Sequence, residues 1–313
     1  MIRQPATLRW LAFASVVANV GIVLTGGVVR LTSSGLGCPT WPTCTDSSLV
    51  PTAATAGHGL IEFSNRMLTF VLVVIAVSTL VVAVLQRRER ALATVALLGI
   101  PAQAVLGGIT VLTELNPWAV GCHFLLSMAL IAVTYTLWWR LDHAATEGSD
   151  AAPDDGVGAS DRWAVLLSRI VAVAVLAVLA LGTVVTGSGP HAGDSRNGRV
   201  HRNGFDPAAM SQLHADAVMI LIGLTIGLLI LVVALRLRSS VVAAVKWLLV
   251  IELAQGLIGF VQYFTHLPAL LVAVHMLGAC LVWLATLRVL YALRAPVRTP
   301  VTLEHPRAVV AVS

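Results

Sequence analysis

The chain has 313 residues, of which 58% are hydrophobic and 11% charged, and its mean hydropathy is +0.89. These values exclude an ordinary soluble domain. The formal net charge of +5 does not call for nucleic-acid binding, because the basic residues concentrate on one predicted side of a membrane.

Eight apolar runs follow one another, and each is long enough to cross the ~30 Å hydrocarbon core as a helix. They span residues 10–29, 63–85, 92–112, 118–139, 163–186, 211–235, 243–263 and 269–291. The runs lack the period-2 alternation of a β-barrel. The chain is therefore predicted to be an all-α polytopic membrane protein with eight transmembrane helices.

The basic residues predict the orientation of these helices. With a cytoplasmic N-terminus, the other side keeps only five arginines, Arg30, Arg66, Arg196, Arg199 and Arg202. Positive charge concentrates on the cytoplasmic side of membrane proteins. Both termini are therefore predicted to be cytoplasmic, in a bacterial plasma membrane. Lys246 is the single lysine, a bias typical of GC-rich bacterial genomes.

The first predicted outer loop contains the sequence SGLGCPTWPTC, with Cys38 and Cys44 close together. Cysteines outside a bacterial inner membrane meet an oxidising milieu, which favours a disulfide bond between them. A zinc site is the weaker reading, because two further ligands at suitable spacing are missing. Free thiols are the remaining alternative.

The chain also contains an internal repeat. The segment from Gln103 to Ser127 aligns without a gap with the segment from Gln255 to Ala279, and each places a histidine 20 residues after its glutamine. Each half holds four helices, so the halves are predicted to be parallel repeats, packed as two four-helix bundles. The predicted parts are an N-terminal bundle (1–140), a cytoplasmic linker (141–162), a C-terminal bundle (163–292) and a cytoplasmic tail (293–313).

Three histidines lie inside apolar helices at one predicted depth. His123, His214 and His275 each follow a helix-starting proline by six or seven residues, roughly 9–11 Å from the outer end. One such histidine could simply bond a neighbouring helix, but three at matching depth favour a functional site. His214 and His275 suit the two axial positions of a haem iron. Zinc or copper would need further ligands.

The residue that matches His214 in the N-terminal half is ambiguous. Counting from the preceding proline favours His58, whereas counting back from the cytoplasmic arginines favours Asn65. The second count is preferred, because the membrane fixes helix length while the outer loop is long. Glu62 lies on the same helix face as both residues. It is either a partner of Arg66, four residues on, or an acid/base group near a substrate held by His123.

Together these residues resemble the haem A synthase family, in an actinobacterial-like form. TGGVVRLTSSGLGCPTWPTC (residues 25–44) resembles that family's signature in the first helix and outer loop, and IEFSNR (residues 61–66) resembles its E-x-x-H-R element. The histidines at positions 123, 214 and 275 fall where family ligands are expected. The departure is Asn65, where the family pattern has histidine.

The resemblance implies an oxidoreductase that converts the C8 methyl of haem O to a formyl group, giving haem A. It implies haem b as cofactor, with His214 and His275 as ligands. It places substrate haem O near His123 and the catalytic Glu62. Either His58 replaces the missing ligand at position 65, or His123 binds alone. The outer arginines, Arg66 included, bind haem propionates or anchor the helices at the interface.

The resemblance also implies partners in the membrane, namely a haem O synthase and an electron acceptor, and it allows a homo-oligomer. Two other functions remain open from the sequence. One is a di-haem b electron carrier, which would need a second haem layer near the inner face to cross the membrane. The other is a small-molecule transporter, which would bind no haem.

Overall fold

The computed structural model describes residues 5–52, 56–146, 161–193 and 200–294. It contains eight α-helices: α1 (Pro5–Leu31), α2 (Ala56–Gln86), α3 (Arg90–Leu112), α4 (Pro117–Thr146), α5 (Asp161–Ser188), α6 (Pro207–Ala234), α7 (Ser239–Phe264) and α8 (Ala269–Ala292). All eight are long and apolar enough to cross a membrane. This confirms the predicted all-α class and the eight spans. The last turn of α4 extends into the predicted linker 141–162; most of that linker and of the tail lies outside the described residues.

Prolines and polar caps begin the helices that carry the histidines. Asp206 accepts a hydrogen bond from the Ala209 N–H at 2.8 Å, with Pro207 at the first position of α6. Asn116 accepts one from the Trp118 N–H at 3.0 Å, just before α4. These residues satisfy N–H groups that have no partner within the helix. They fix the helix starts, and therefore the depth of each histidine.

The turns after α3 and α7 have the same backbone geometry. Leu115 and Leu267 both adopt positive φ angles, 60° and 59°. Each donates its N–H to a carbonyl five residues back, Thr110 and Gln262 respectively, at 2.7 Å. Left-handed residues commonly end helices in this way. The two turns lie 152 positions apart, as do the two aligned glutamines.

Each half of the chain packs as a ring of four helices. In the first half α1 contacts α2 and α4, and α3 contacts α2 and α4; in the second half α5–α8 contact one another in the same order. The halves meet through α1, α4, α5 and α8. The largest buried apolar cluster lies at this junction, where Trp283 donates to the Met128 carbonyl at 2.8 Å.

The connections that follow α1, α3, α5 and α7 meet at one end of the helices. We call this surface the cap; it comprises residues 32–52, 113–116, 189–193, 200–206 and 265–268. Arg30 donates to the carbonyls of His191 and Ala192, and His191 hydrogen-bonds the Leu267 carbonyl at 2.9 Å. His201 Nε2 lies 3.5 Å from Glu114 Oε2. The cap therefore ties the two halves together directly above the histidines.

Candidate functional site

His123, His214 and His275 lie at one level below the cap. They follow Pro117, Pro207 and Pro268 by six, seven and seven residues, which places them about 9–11 Å from the helix ends. His123 lies on α4, diagonal to α2 in the first ring, and His214 on α6 is diagonal to α8 in the second. Diagonal helices make no close contact in the described structure. The interior between them is where the imidazoles can meet a common ligand.

A glycine on a neighbouring helix faces each imidazole. A Cβ atom at Gly107 would lie 3.2 Å from His123 Cε1, and one at Gly182 or Gly259 would lie 3.4 Å from the corresponding ring carbon of His214 or His275. A Cβ atom at Gly107 would crowd the His123 imidazole, whereas one at Gly182 or Gly259 would only reach van der Waals contact. Side chains larger than alanine would press on all three imidazoles.

The Nδ1 atoms of the three imidazoles are buried and have no hydrogen-bond partner among the described residues. A buried polar atom without a partner is costly, which suggests that the rings are arranged for a ligand. The three imidazoles are therefore suited to bind the iron of a porphyrin. No described group of three or more His, Cys, Asp or Glu could hold a bare metal ion.

The aligned glutamines hold two of these histidines in the same way. Gln103 donates to the His123 carbonyl at 3.3 Å, and Gln255 donates to the His275 carbonyl at 2.6 Å. The Oε1 atom of each glutamine is buried without a partner in the described residues. In the sequence, these glutamines mark the internal repeat. Their identical spacing to the histidines was the signal that could have identified the contact.

On α2, the structure separates the two candidates for the position opposite His123. His58 is exposed, and its Nδ1 lies 3.0 Å from Ser34 Oγ in the cap. The side chain of Asn65 instead faces Gly26 of α1, and its Oδ1 is buried without a partner in the described structure. Gly27, the residue after Gly26 on α1, faces Met276, and Met276 directly follows His275 on α8. Asn65 therefore lies at the level of the histidines.

Glu62 and Arg66 hold the first cap loop onto α2. Glu62 is 5% exposed, and its Oε2 accepts a hydrogen bond from the Cys38 N–H at 2.8 Å. Its Oε1 pairs with Arg66 at 2.6 Å. Arg66 also donates to the carbonyls of Cys38, Thr40 and Thr43. The ion pair expected from the spacing is present, and its guanidinium also closes the loop.

The structure joins Cys38 and Cys44 in a disulfide bond, as the sequence predicted. Both cysteines are fully buried. Gly37 packs so closely on the first turn of α2 that a Cβ atom there would collide with the His58 carbonyl. The loop is therefore seated tightly on the cap end of the first ring.

The predicted outer arginines differ in their surroundings. Arg30 and Arg66 donate to backbone carbonyls of the cap. Arg202 is exposed. Arg196 and Arg199 lie outside the described residues, so the pairing of these arginines with propionates stays a prediction.

Fold and site together define a polytopic helical membrane protein with histidines directed into both of its four-helix rings. A family model described as cytochrome oxidase assembly protein matches residues 9–287. The chain belongs to this family.

Similar curated proteins carry the name Heme A synthase. The chain is 35% identical over 138 residues to one from Lysinibacillus sphaericus, a match that covers 42% of this chain and 43% of that protein. It is 30% identical over 135 residues to one from Geobacillus thermodenitrificans, covering 42% of each. A third, from Geobacillus kaustophilus, is 26% identical over 159 residues, covering 46% of this chain and 49% of that protein. The chain thus matches less than half the length of each relative. The matches confirm the family resemblance.

Proposed function

We propose that this protein is a haem A synthase, an oxidoreductase that converts the C8 methyl of haem O to a formyl group. The observation that carries the proposal is the layer of three imidazoles, each opposite a glycine and each with an Nδ1 that has no hydrogen-bond partner among the described residues. It occurs in a chain that belongs to the cytochrome oxidase assembly protein family and has relatives named Heme A synthase. A bound haem would supply an iron that exchanges single electrons.

The C-terminal ring would hold the resident cofactor, haem b. His214 and His275 lie on diagonal helices of the same four-helix ring. Gln255 hydrogen-bonds the backbone of His275. Gly182 and Gly259 leave space beside the imidazoles of His214 and His275. Two neutral imidazoles on opposite sides of one interior are the ligand set of a low-spin haem iron.

The N-terminal ring would hold the substrate haem O near His123. Asn65 lies opposite, at the same level, but an amide is a poor iron ligand, whereas His58 is engaged by Ser34 in the cap. We therefore assign His123 as the sole protein ligand on this side. Asn65 would line the substrate pocket with its unpartnered Oδ1.

Glu62 would take up a proton released when the methyl group is oxidised. It lies one turn from Asn65, on the same face of α2, and it is buried beneath the disulfide loop. Arg66 and the Cys38 N–H fix the position of the carboxylate. The loop between Cys38 and Cys44 would shape the entrance through which the flat substrate reaches the first ring.

The two rings would be parallel repeats, with the cap outside a bacterial plasma membrane and both termini in the cytoplasm. The matched turns after α3 and α7 and the matched glutamine contacts support the repeat. The concentration of arginine at the end opposite the cap supports the orientation. The two units of this repeat would be the N-terminal bundle (1–140) and the C-terminal bundle (163–292). Haem O synthase and a membrane electron acceptor would supply substrate and remove electrons.

The test is haem analysis of membranes from a host that makes haem O but no haem A. Expression of the wild-type chain should produce haem A. Glu62→Gln should abolish haem A while haem O still binds. Glu114→Gln, which removes a carboxylate of the cap away from α2, serves as the matched control and should keep activity. Haem O alone with the wild-type chain, in a host that provides an electron acceptor, would contradict the proposal.

A further inference from the structure

A buried carboxylate lies deep in the C-terminal ring, far from the cap. Glu252 on α7 is 3% exposed, and its Oε1 accepts a hydrogen bond from Thr225 Oγ1 on α6 at 3.0 Å. Its other oxygen, Oε2, is buried and has no hydrogen-bond partner in the described part of the chain. Carboxylates inside membrane helices are costly and commonly functional. Core packing alone does not explain this one.

Glu252 lies on the helix face that serves the histidine layer. Gln255 and Gly259 follow it by three and seven residues, which keeps all three on one side of α7. Gln255 hydrogen-bonds His275, and Gly259 faces its imidazole. Two helical turns, about 10 Å, therefore separate Glu252 from the level of the His275 ring.

Thr225 has the same relation to the other histidine. It follows His214 by eleven residues on α6, which is three turns, so both side chains leave the same face of the helix. The hydrogen-bonded pair of Thr225 and Glu252 thus closes the end of the interior that His214 and His275 face from the cap side.

Among the described residues, the carboxylate has no cation as an ion-pair partner. The titratable groups on α7 and on the two helices packed against it are His214, Asp216, Lys246, Tyr263, His275, Cys280, Arg288 and Tyr291. Within the described structure, no ion pair joins Glu252 to any of these groups. An ionised carboxylate in such surroundings is stabilised neither by water nor by a cation. The protonation of the Glu252 carboxylate can therefore change when the charge changes elsewhere inside the C-terminal ring.

The N-terminal ring does not contain this carboxylate. The offset of 152 residues that aligns the two glutamines places Ile100 at the equivalent position of α3, and Ile100 is buried. The repeat therefore folds with an apolar residue at this site. The carboxylate is specific to the half in which two histidines face each other.

We propose that Glu252 is the proton acceptor that balances the charge of the metal group held by His214 and His275. If a haem iron held there were reduced by one electron, the Glu252 carboxylate would take up one proton from water. The electron would be supplied by the oxidation of the substrate haem in the proposed reaction. The net charge of the interior is unchanged. The inference rests on the proposed function, since it requires a haem between these histidines.

The test is a spectroelectrochemical titration of the low-spin haem in the purified protein over a series of pH values. In the wild type the midpoint potential should fall as the pH rises. Glu252→Gln should remove this dependence, while Glu252→Asp, which keeps a carboxyl group, should retain it. Glu89→Gln removes a carboxylate at the start of α3 that pairs with Arg140, and this variant should behave as wild type. An unchanged pH dependence in Glu252→Gln would overturn the proposal.

A second measurement needs no variant. The reduced-minus-oxidised infrared spectrum of the wild type should contain a protonated carboxyl band that shifts in heavy water. Absence of that band would overturn the role of Glu252 even if Glu252→Gln fails to fold. A wild-type protein with no low-spin haem would instead contradict the proposed function itself.

Discussion

Arg66→Met should loosen the disulfide loop without removing the disulfide. The methionine keeps much of the length of the side chain but loses every hydrogen bond to Glu62 and to the carbonyls of Cys38, Thr40 and Thr43. Glu62 would remain buried without its cation. The loop would then be held mainly by backbone contacts and by the Cys38–Glu62 hydrogen bond.

The magnitude follows from the burial of the ion pair. Breaking a buried pair by removing one partner costs about 3–5 kcal/mol. The side chain of Arg66 is 20% exposed and that of Glu62 is 7% exposed, so water screens the pair in part and the lower value applies. About 3 kcal/mol corresponds to a roughly 100-fold larger open fraction of the loop.

The assay is the rate at which a water-soluble reductant opens the disulfide, followed by thiol labelling and mass. Cys38 and Cys44 are fully buried, so reduction requires the loop to open. Arg66→Met should be reduced about 100-fold faster than wild type if opening and closing are fast. Arg202→Met, which removes an exposed cap arginine, should leave the rate unchanged. A rate for Arg66→Met within a few-fold of wild type would refute the reasoning.

Three further predictions concern the histidine layer. His214→Leu or His275→Leu should remove the low-spin haem spectrum while the protein still inserts, and a spectrum that survives both changes would reject the ligand assignment. Gln255→Leu removes the hydrogen bond to the His275 backbone and should lower the free energy of unfolding by about 1 kcal/mol. Gln103→Leu should lower it by at least as much, since Gln103 donates both to the His123 carbonyl and to Ser127 Oγ. Asn65→Ala should leave haem A formation intact, whereas Asn65→His should add a second ligand and increase the low-spin signal.

The sequence predicted the eight helices and the depth of the histidines because hydropathy and helix-starting prolines determine both. It left the residue opposite His123 ambiguous, since the length of the first cap loop hides where α2 begins. The structure starts α2 at Ala56. That start places His58 in the first turn, bonded to Ser34, and Asn65 deeper, at the histidine level.

The cap contacts could not be predicted in the same way. The i,i+4 spacing predicted the pair of Glu62 and Arg66, but the carbonyls that Arg66 binds depend on the path of the loop. The contact of Arg30 with the carbonyls at residues 191 and 192 joins segments about 160 positions apart. Local sequence patterns do not encode such long-range partners, which arise only when the two halves pack together.

The most direct test of the central claim is to extract the haems from the purified protein and identify them by mass. We expect haem b together with haem O or haem A in the wild type. In His123→Ala we expect haem O and haem A to be lost and haem b to remain. A colourless protein would contradict the haem sites altogether. Haem b alone, in a host that makes haem O, would contradict the synthase function and indicate an electron carrier.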